Sequence, residues 1–382
     1  MLSDESVPMT THQPHRLLLI APSPPPYGGM AIQARLLEKL LRQEGIEVEF
    51  FPSNLPFPAW LRFFESVPCV RTVIRSLLVA LKLWGAVRRA EVVHVLAASW
   101  VYFFAVAYPA VIYSRLQGKR VVLNYRAGDA ARFFRQFGWA VKPIVKMASE
   151  VTAPSDFLAR VMRDTFHVPV GIVRNILDSS VFRYRKRTAI RPSLLVTRHL
   201  ELIYDVETGL KAFRKVQEHY PEASLWIAGT GSQEQRLREL ADGWNLKNVH
   251  FLGHVAHTDL PAVYEQCDIL LNSSRVDNFP GALLEASGAG LVVVSTCAGG
   301  IPFMYQNGKS ALLVEPGNWE GLARSVELVL QTPGLGESLA AEAVTLVREC
   351  DWKEVRRALY KAYGFSEAAG AAPSQPLTVS TV

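Results

Sequence analysis

Two carboxylates, Asp277 and Glu285, bracket the segment Asp277-Asn-Phe-Pro-Gly-Ala-Leu-Leu-Glu285. The run before it, Asp268-Ile-Leu-Leu-Asn-Ser-Ser274, reads as a buried strand, and a second apolar run, Leu291-Val-Val-Val-Ser-Thr296, follows shortly after. Asp277 therefore falls on a loop leaving a strand, and Glu285 inside the helix that comes next. Pro280 stands near the first helical position, where a missing N–H costs nothing. The amides of that helix start have no partner within the helix and attract an anion. Two carboxylates flanking an anion site suit a ligand with a diphosphate between two hydroxyl-rich groups, as in a nucleotide sugar. Read in isolation, the same residues are a turn aspartate and a helix-surface glutamate, so their surroundings must decide.

Several strand ends add to the pattern. Gly28 and Gly29 lie where a first strand hands over to a first helix, the place where open parallel sheets bind ligands. Glycines there let the backbone approach a phosphate or sugar closely. The loop is not G-x-G-x-x-G, which disfavours a nicotinamide cofactor. Arg198, in Thr197-Arg198-His199, can fork onto phosphate oxygens. Ala228-Gly-Thr-Gly231 is a weaker strand-end turn of the same kind, with Gly229 and Gly231 as candidate donor contacts. An ordinary turn and a solvated arginine are the competing readings. His250, His254 and His257 invite a metal reading, but on a strand the first two lie roughly 13 Å apart, too far for one ion. With no Asp-x-Asp in the chain either, no metal is expected.

The elements that must position these residues alternate. Strands are expected at 16–21, 48–51, 91–96, 120–125 and 150–153, with helices at 30–43, 98–117 and 155–166. A second series follows, with strands at 194–198, 224–228, 249–252, 268–273, 291–295 and 311–314. Its helices fall at 206–219, 232–242, 258–266, 281–289 and 318–331. Short apolar runs alternating with helical patterns indicate doubly wound parallel sheets, here two in succession. The expected organisation is a flexible start (1–14), a first Rossmann-like domain (15–175), a basic surface linker (176–191), a second Rossmann-like domain (192–350), a last helix (351–365) and a disordered tail (366–382).

The 382 residues are 49% apolar and 20% charged, enough for two packed cores. The net charge of +6 is unevenly spread: residues 56–150 hold 14 Lys and Arg against 4 Asp and Glu, among several tryptophans. Such a surface suits an anionic membrane or a nucleic acid; the alternative is a basic domain with buried aromatics. On a helix over 70–90, Arg71, Arg75, Lys82 and Arg89 fall within about 40° of one another, with Leu77, Leu81 and Leu83 turned away. That basic stripe could rest on anionic lipid, or be a solvated face. Residues 92–114 are apolar enough to span a bilayer, yet read better as a strand followed by a helix. The four cysteines make no C-x-x-C pair, and the N-terminus lacks a secretory pattern, so a cytoplasmic protein is expected, at most touching the inner face of the plasma membrane.

Taken together these residues resemble glycosyltransferase family 4, the group 1 glycosyltransferases of GT-B fold. Asp277 to Glu285 matches the family's E-x7-E element with Asp for the first Glu. Ile227-Ala-Gly-Thr-Gly-Ser232, Asn248-Val-His-Phe-Leu-Gly253, Ala298-Gly-Gly-Ile-Pro302, Asn307 to Val314, Arg174-Asn-Ile-Leu-Asp178 and Pro25 to Met30 resemble further family segments in order. The resemblance implies two facing domains and a retaining, metal-independent transfer from a UDP- or GDP-type sugar, without cofactor, to a glycan or lipid-linked acceptor in cell-surface polysaccharide or glycolipid synthesis. It excludes nucleic acid as a partner. Glu285 would take the ribose hydroxyls and Asp277 the sugar hydroxyls. Asn278, Phe279 and Gly281 would line the diphosphate or sugar, Arg198 with Gly28 and Gly29 would hold the diphosphate, and backbone at His254 and Val255 would meet the base. Two departures stand out. The family's Lys after the first-strand Arg is replaced at Ile203-Tyr204, and Arg126 stands where the first domain often has a His. Arg126 is then a candidate catalytic cation beside Arg198 and Asp277. A non-catalytic nucleotide-sugar-binding scaffold of the same fold is the alternative, and a glycan phosphorylase is disfavoured because no lysine suits a pyridoxal motif.

Overall fold

The structure, a computed structural model, describes residues 15–25 and 28–365. The ends at 1–14 and 366–382, expected to be loose, lie outside the described residues, as do Pro26 and Tyr27 of the first loop.

Two six-stranded parallel sheets follow one another along the chain. The first contains β1 (Arg16–Ala21), β2 (Glu47–Pro52), β3 (Val92–Ala97), β4 (Arg120–Tyr125), β5 (Glu150–Ala153) and β6 (Gly171–Ile172), in the order β2-β1-β3-β4-β5-β6. The second contains β7 (Ser193–Thr197), β8 (Ser224–Ala228), β9 (Val249–Gly253), β10 (Ile269–Asn272), β11 (Val292–Thr296) and β12 (Leu312–Val314), in the order β12-β11-β10-β7-β8-β9. The strands read as unbroken apolar runs because helices cover both faces of each sheet. In the first domain α2 (Pro68–Arg89), α3 (Tyr108–Leu116), α4 (Ala130–Met147) and α5 (Asp156–Phe166) bury Val79, Leu83, Val111, Phe133 and Leu158 against one face. On the other face lie α1 (Gly29–Gln43) and the last helix, α12 (Trp352–Tyr363), with Leu37, Leu41, Leu359 and Tyr363 in the core. The second sheet is covered by α6 (Val206–His219), α7 (Glu234–Gly243), α8 (Leu260–Gln266), α9 (Gly281–Ala289), α10 (Trp319–Gln331) and α11 (Leu335–Leu346). No helix among the described residues is long and apolar enough to cross a membrane.

Helices α4 and α11 have no counterpart in the sequence reading. Gly138 and Pro143 interrupt α4, and a Pro-Gly pair at 333–334 hides the start of α11. Tertiary burial of Phe133, Phe134, Val141 and Ile144 overrides the breakers in α4. The expected helix over 98–117 begins only after Trp100, which has φ of 59°, and contains a π-turn at Phe103–Ala107.

The stretch Arg183–Arg187 is not simply a solvated basic linker. Arg187 is almost fully buried, and its guanidinium donates to the carbonyls of Tyr264, Cys267 and Ala289 and to Asp268. Arg185 and Arg191 bind the same carboxylate. Burial alone would raise the Asp268 pKa, but the hydrogen bonds and charge of Arg191, with Arg187, hold it below the ordinary carboxylate range. The linker is thus clamped to the amino-terminal end of β10, inside the second sheet, by a charge cluster that has no apolar signal in sequence.

Candidate functional site

Each sheet reverses its strand order once, and in parallel sheets the crevice beyond such a reversal is where a ligand fits. In the second sheet the reversal lies between β7 and β10. Arg198 follows β7 directly, and the 273–280 loop follows β10. The two loops meet: the Arg198 guanidinium hydrogen-bonds the Asp277 carboxylate through Nη2 and donates to Asn272 Oδ1 through Nε at 3.0 Å. Both side chains are largely buried, at 12% and 11% exposure. Tyr204 lies under the guanidinium, 5.1 Å from its ring centre. The position where the family resemblance calls for a lysine is therefore an aromatic brace for Arg198 and supplies no second charge.

Glu285 sits one helical turn into α9. Its carboxylate accepts from the Tyr264 hydroxyl at 3.0 Å and lies 3.4 Å from His257 Nε2. The hydrogen bond to Glu285, aided by its charge, raises the His257 pKa above the ordinary value. Burial, with the Glu285 charge, pushes the Tyr264 phenol well above its ordinary range, so it remains a donor. Pro280 caps α9, and its first amides open at the helix N-terminus between the two carboxylates. Three functional groups expected from sequence, Arg198, Asp277 and Glu285, thus converge around one helix start. Tyr204, Asn272, His257 and Tyr264 complete the arrangement; Asn272 and Tyr264 carry no sequence signal, and Tyr204 and His257 show only as a missing lysine and a histidine cluster, because their role depends on pairs distant in the chain.

Glycines shape the same region. A Cβ at Gly299 would stand 2.0 Å from the Asp277 carbonyl oxygen, and one at Gly300 would stand 2.0 Å from that of Asn278. The Gly-Gly pair therefore lets the 298–302 loop press on the back of the 277–278 backbone. Gly229 and Gly231 have a comparable reason to be glycine: a Cβ there would stand 1.9 Å from the Arg198 carbonyl oxygen and 2.4 Å from that of Leu200. They were expected to face the donor; the close packing adds a structural reason for glycine, as supports for the loop that carries Arg198. Around Gly28 and Gly29, at the start of α1, no described residue lies within 4 Å of an added Cβ. His254 is exposed just after β9, with Val255 half-buried beside it. His250 stacks on Trp226 at 4.4 Å, away from the site. Among the described residues no three metal-ligating side chains cluster. An open groove of about 720 Å³ beside β12 and α10 contains none of these residues.

The first domain reaches the same loop. Ser155 donates to Asn278 Oδ1 at 2.6 Å, and Asn175 Nδ2 donates to the Phe279 carbonyl at 2.7 Å. Gly128 packs near Val276 and Asp277. The segment Asp277–Phe279 is thus both part of the second domain's site and the floor of the contact between domains.

Family comparison agrees with this architecture. Residues 27–181 match the model described as Glycosyltransferase Family 4, and residues 185–344 match Glycosyl transferases group 1. The chain belongs to the family 4, group 1 glycosyltransferases. A glycogen synthase of Mycobacterium tuberculosis is 28% identical over 294 residues, covering 72% of this chain and 69% of its own. The sulfoquinovosyl transferase SQD2 of Arabidopsis thaliana is 24% identical over 379 residues, covering 91% of this chain and 72% of its own. Among solved structures, Anabaena HepE in complex with UDP and glucose superposes with a TM-score of 0.70 at 17% identity, covering 92% of this chain and 99% of HepE. The shared fold is GT-B.

In this glycosyltransferase Arg126 does not meet Arg198 or Asp277. Its guanidinium hydrogen-bonds Asn175 Oδ1, in the segment entering the second domain. Burial pushes its pKa down to about 10. The cation expected to stand in for the absent lysine is thus half-buried and is joined to the 277–279 loop through Asn175 and the Phe279 carbonyl.

Proposed function

We propose that this glycosyltransferase is a retaining, metal-independent enzyme that moves a sugar from a nucleotide-sugar donor to a glycan or lipid-linked acceptor, in cell-surface or extracellular polysaccharide or glycolipid synthesis, and that it works in the cytoplasm at the inner face of the plasma membrane, with residues 56–150 towards the lipid. One observation carries the reading: Arg198 with Asp277, and Glu285 with Tyr264 and His257, stand on either side of the α9 N-terminus at the strand-order reversal. Glu285 receives the ribose hydroxyls, the α9 amides and Arg198 receive the diphosphate, and Asp277 receives the sugar. Fixed donors aimed at the charge that grows on the departing diphosphate lower the barrier. The acceptor hydroxyl attacks from the face the nucleotide leaves. That Asp277 already neutralises much of the Arg198 charge favours, as the second reading, a scaffold that binds nucleotide sugars without transferring them. A panel of UDP- and GDP-sugars read by thermal shift identifies the donor. NMR of the product made from that donor gives an α-linkage from an α-donor if transfer is retaining, and no product with any acceptor if the scaffold reading holds. Activity that survives chelation supports the metal-free part.

A further inference from the structure

Helix α2 has two apolar faces. One buries Val79, Leu83, Ala86 and Val87 in the first core. The other leaves Val70, Val73, Leu77, Leu81 and Trp84 exposed. Their spacing of three and four residues places them within about 80° at helical pitch. The short helical turn before α2, Ala59–Ser66, adds Trp60 at 78% and Phe63 at 80% exposure. Single exposed apolar residues are ordinary, but a continuous stripe of this length marks a contact surface.

The basic stripe expected from sequence is not that surface. Arg75 is half-buried over the Phe57 ring beside Glu65, and Arg89 is bound to Glu49. The exposed cations that remain, Arg62, Arg71, Lys82 and Arg88, flank the apolar stripe.

We propose that the 59–66 turn and the outer face of α2 seat this protein on an anionic bilayer by partial insertion. The apolar stripe enters the boundary between headgroups and acyl chains, and the flanking cations meet headgroup phosphates. This deepens the membrane contact in the proposed function, and rests on that reading only for the contact, not for the transfer chemistry. A bilayer fits better than a second copy. Residues 56–150 carry 14 basic against 4 acidic side chains, so two such faces would oppose like charges. Glu65, on the turn itself, is already beside Arg75. Trp60 and Trp84 stand at either end of the stripe, and tryptophan favours the membrane–water interface. The turn also follows the carboxyl end of β2, on the sheet edge that carries the Gly28, Trp100 and Arg126 loops. Docking there places the first-domain lip of the cleft at the lipid surface, where the hydroxyl of a lipid-linked acceptor is found.

The test is flotation of the full chain with vesicles of phosphatidylcholine alone and of phosphatidylcholine with phosphatidylglycerol, at low and high salt. The wild type is expected to float with the anionic vesicles, with blue-shifted tryptophan emission. Leu77→Glu/Leu81→Glu and Trp60→Ser/Phe63→Ser should each weaken binding about tenfold or more at both salt concentrations. Arg62→Gln/Arg71→Gln/Lys82→Gln should weaken it chiefly at low salt. Double variants that float like the wild type would overturn the proposal. So would a wild-type dimer, seen by light scattering, that Leu77→Glu/Leu81→Glu makes monomeric while no variant or wild type binds vesicles. The donor-induced thermal shift is the independent reading: retained in every variant, it shows the fold and donor site intact, and its absence from the wild type would count against the donor assignment while leaving the docking result to stand.

Discussion

The two halves of the cleft treat charge in opposite ways. In the second domain the candidate site residues are paired before any ligand arrives: Arg198 with Asp277, Glu285 with Tyr264 and His257. In the first domain Arg126 has only the amide of Asn175, and no carboxylate within ion-pair reach among the described residues. Around it, on the same sheet, His94 Nε2, both polar side-chain atoms of Asn124 and Thr152 Oγ1 are buried without a protein partner. The contrast separates two kinds of preorganisation. The second domain stiffens its donor groups by mutual pairing, which fixes geometry at the expense of free charge. The first holds a desolvated cation and, between its sheet and the helices α1 and α12, unsatisfied polar atoms that cost stability in the resting chain.

Breaking the pairs and breaking the unpaired groups should therefore have different effects. The largest concerns the clamp that holds the second domain's linker. Arg187→Ala leaves Asp268 to Arg185 and Arg191 but takes the buried donor from the carbonyls of Tyr264, Cys267 and Ala289, and should cost ~3 kcal/mol in urea unfolding. Arg198→Ala should lower turnover on the order of a hundredfold or more, while donor-free stability falls far less. If the two losses are comparable, Arg198 is a structural residue and the comparison fails. Arg126→Gln keeps an amide able to meet Asn175 and removes a desolvated charge. It should leave the ligand-free protein as stable or ~1 kcal/mol more stable, and weaken the donor-induced thermal shift. A clear loss of ligand-free stability would place Arg126 among the paired groups.

Near neutral pH the effects are smallest, and there and below two histidines should act with opposite sign. His257 has a raised pKa because of Glu285, so its contribution is fully present below about 6.5 and is lost as pH rises through the raised value. His94 is buried, and desolvation, with the Arg126 charge, pushes its pKa down to about 3. The unfolded chain then binds the proton first, so stability is intact above 6.5 and declines towards about 3 by at most ~1.4 kcal/mol per pH unit. His257→Gln should flatten the neutral side of a melting-temperature profile, and His94→Gln the acid side. Equal flattening of both sides by either variant would contradict the assignment.

Legibility followed locality. The apolar runs at 16–21, 92–97 and 292–296 announce buried parallel strands, because helices on both faces leave no polar side to alternate. The 277–285 element is readable because a strand end, a proline and a helix start lie within one short segment. Arg187 reads as solvent-facing because nothing nearby in sequence shows the Asp268 carboxylate that pairs with it. Gly229 and Gly231 read as ligand-facing because only the packed loops reveal the Arg198 and Leu200 carbonyls they must avoid. The apolar stripe on α2 is not legible because a helical wheel gives angles but not which angle meets the sheet; the fold leaves Arg71 and Lys82 exposed and turns Val73, Leu77 and Leu81 outward as well.

The amino-acid sequence by itself determined the two parallel-sheet domains, the family, and the residues Arg198, Asp277 and Glu285 at strand and helix ends, since periodicity and turn chemistry act over a few neighbouring residues. Only the tertiary structure decided what those residues hold. The Arg198–Asp277 pair and the Tyr264–Glu285 bond exist only once the second sheet has set β7 beside β10 with α8 and α9 packed on it, and the Arg126–Asn175–Phe279 connection only once the two domains meet.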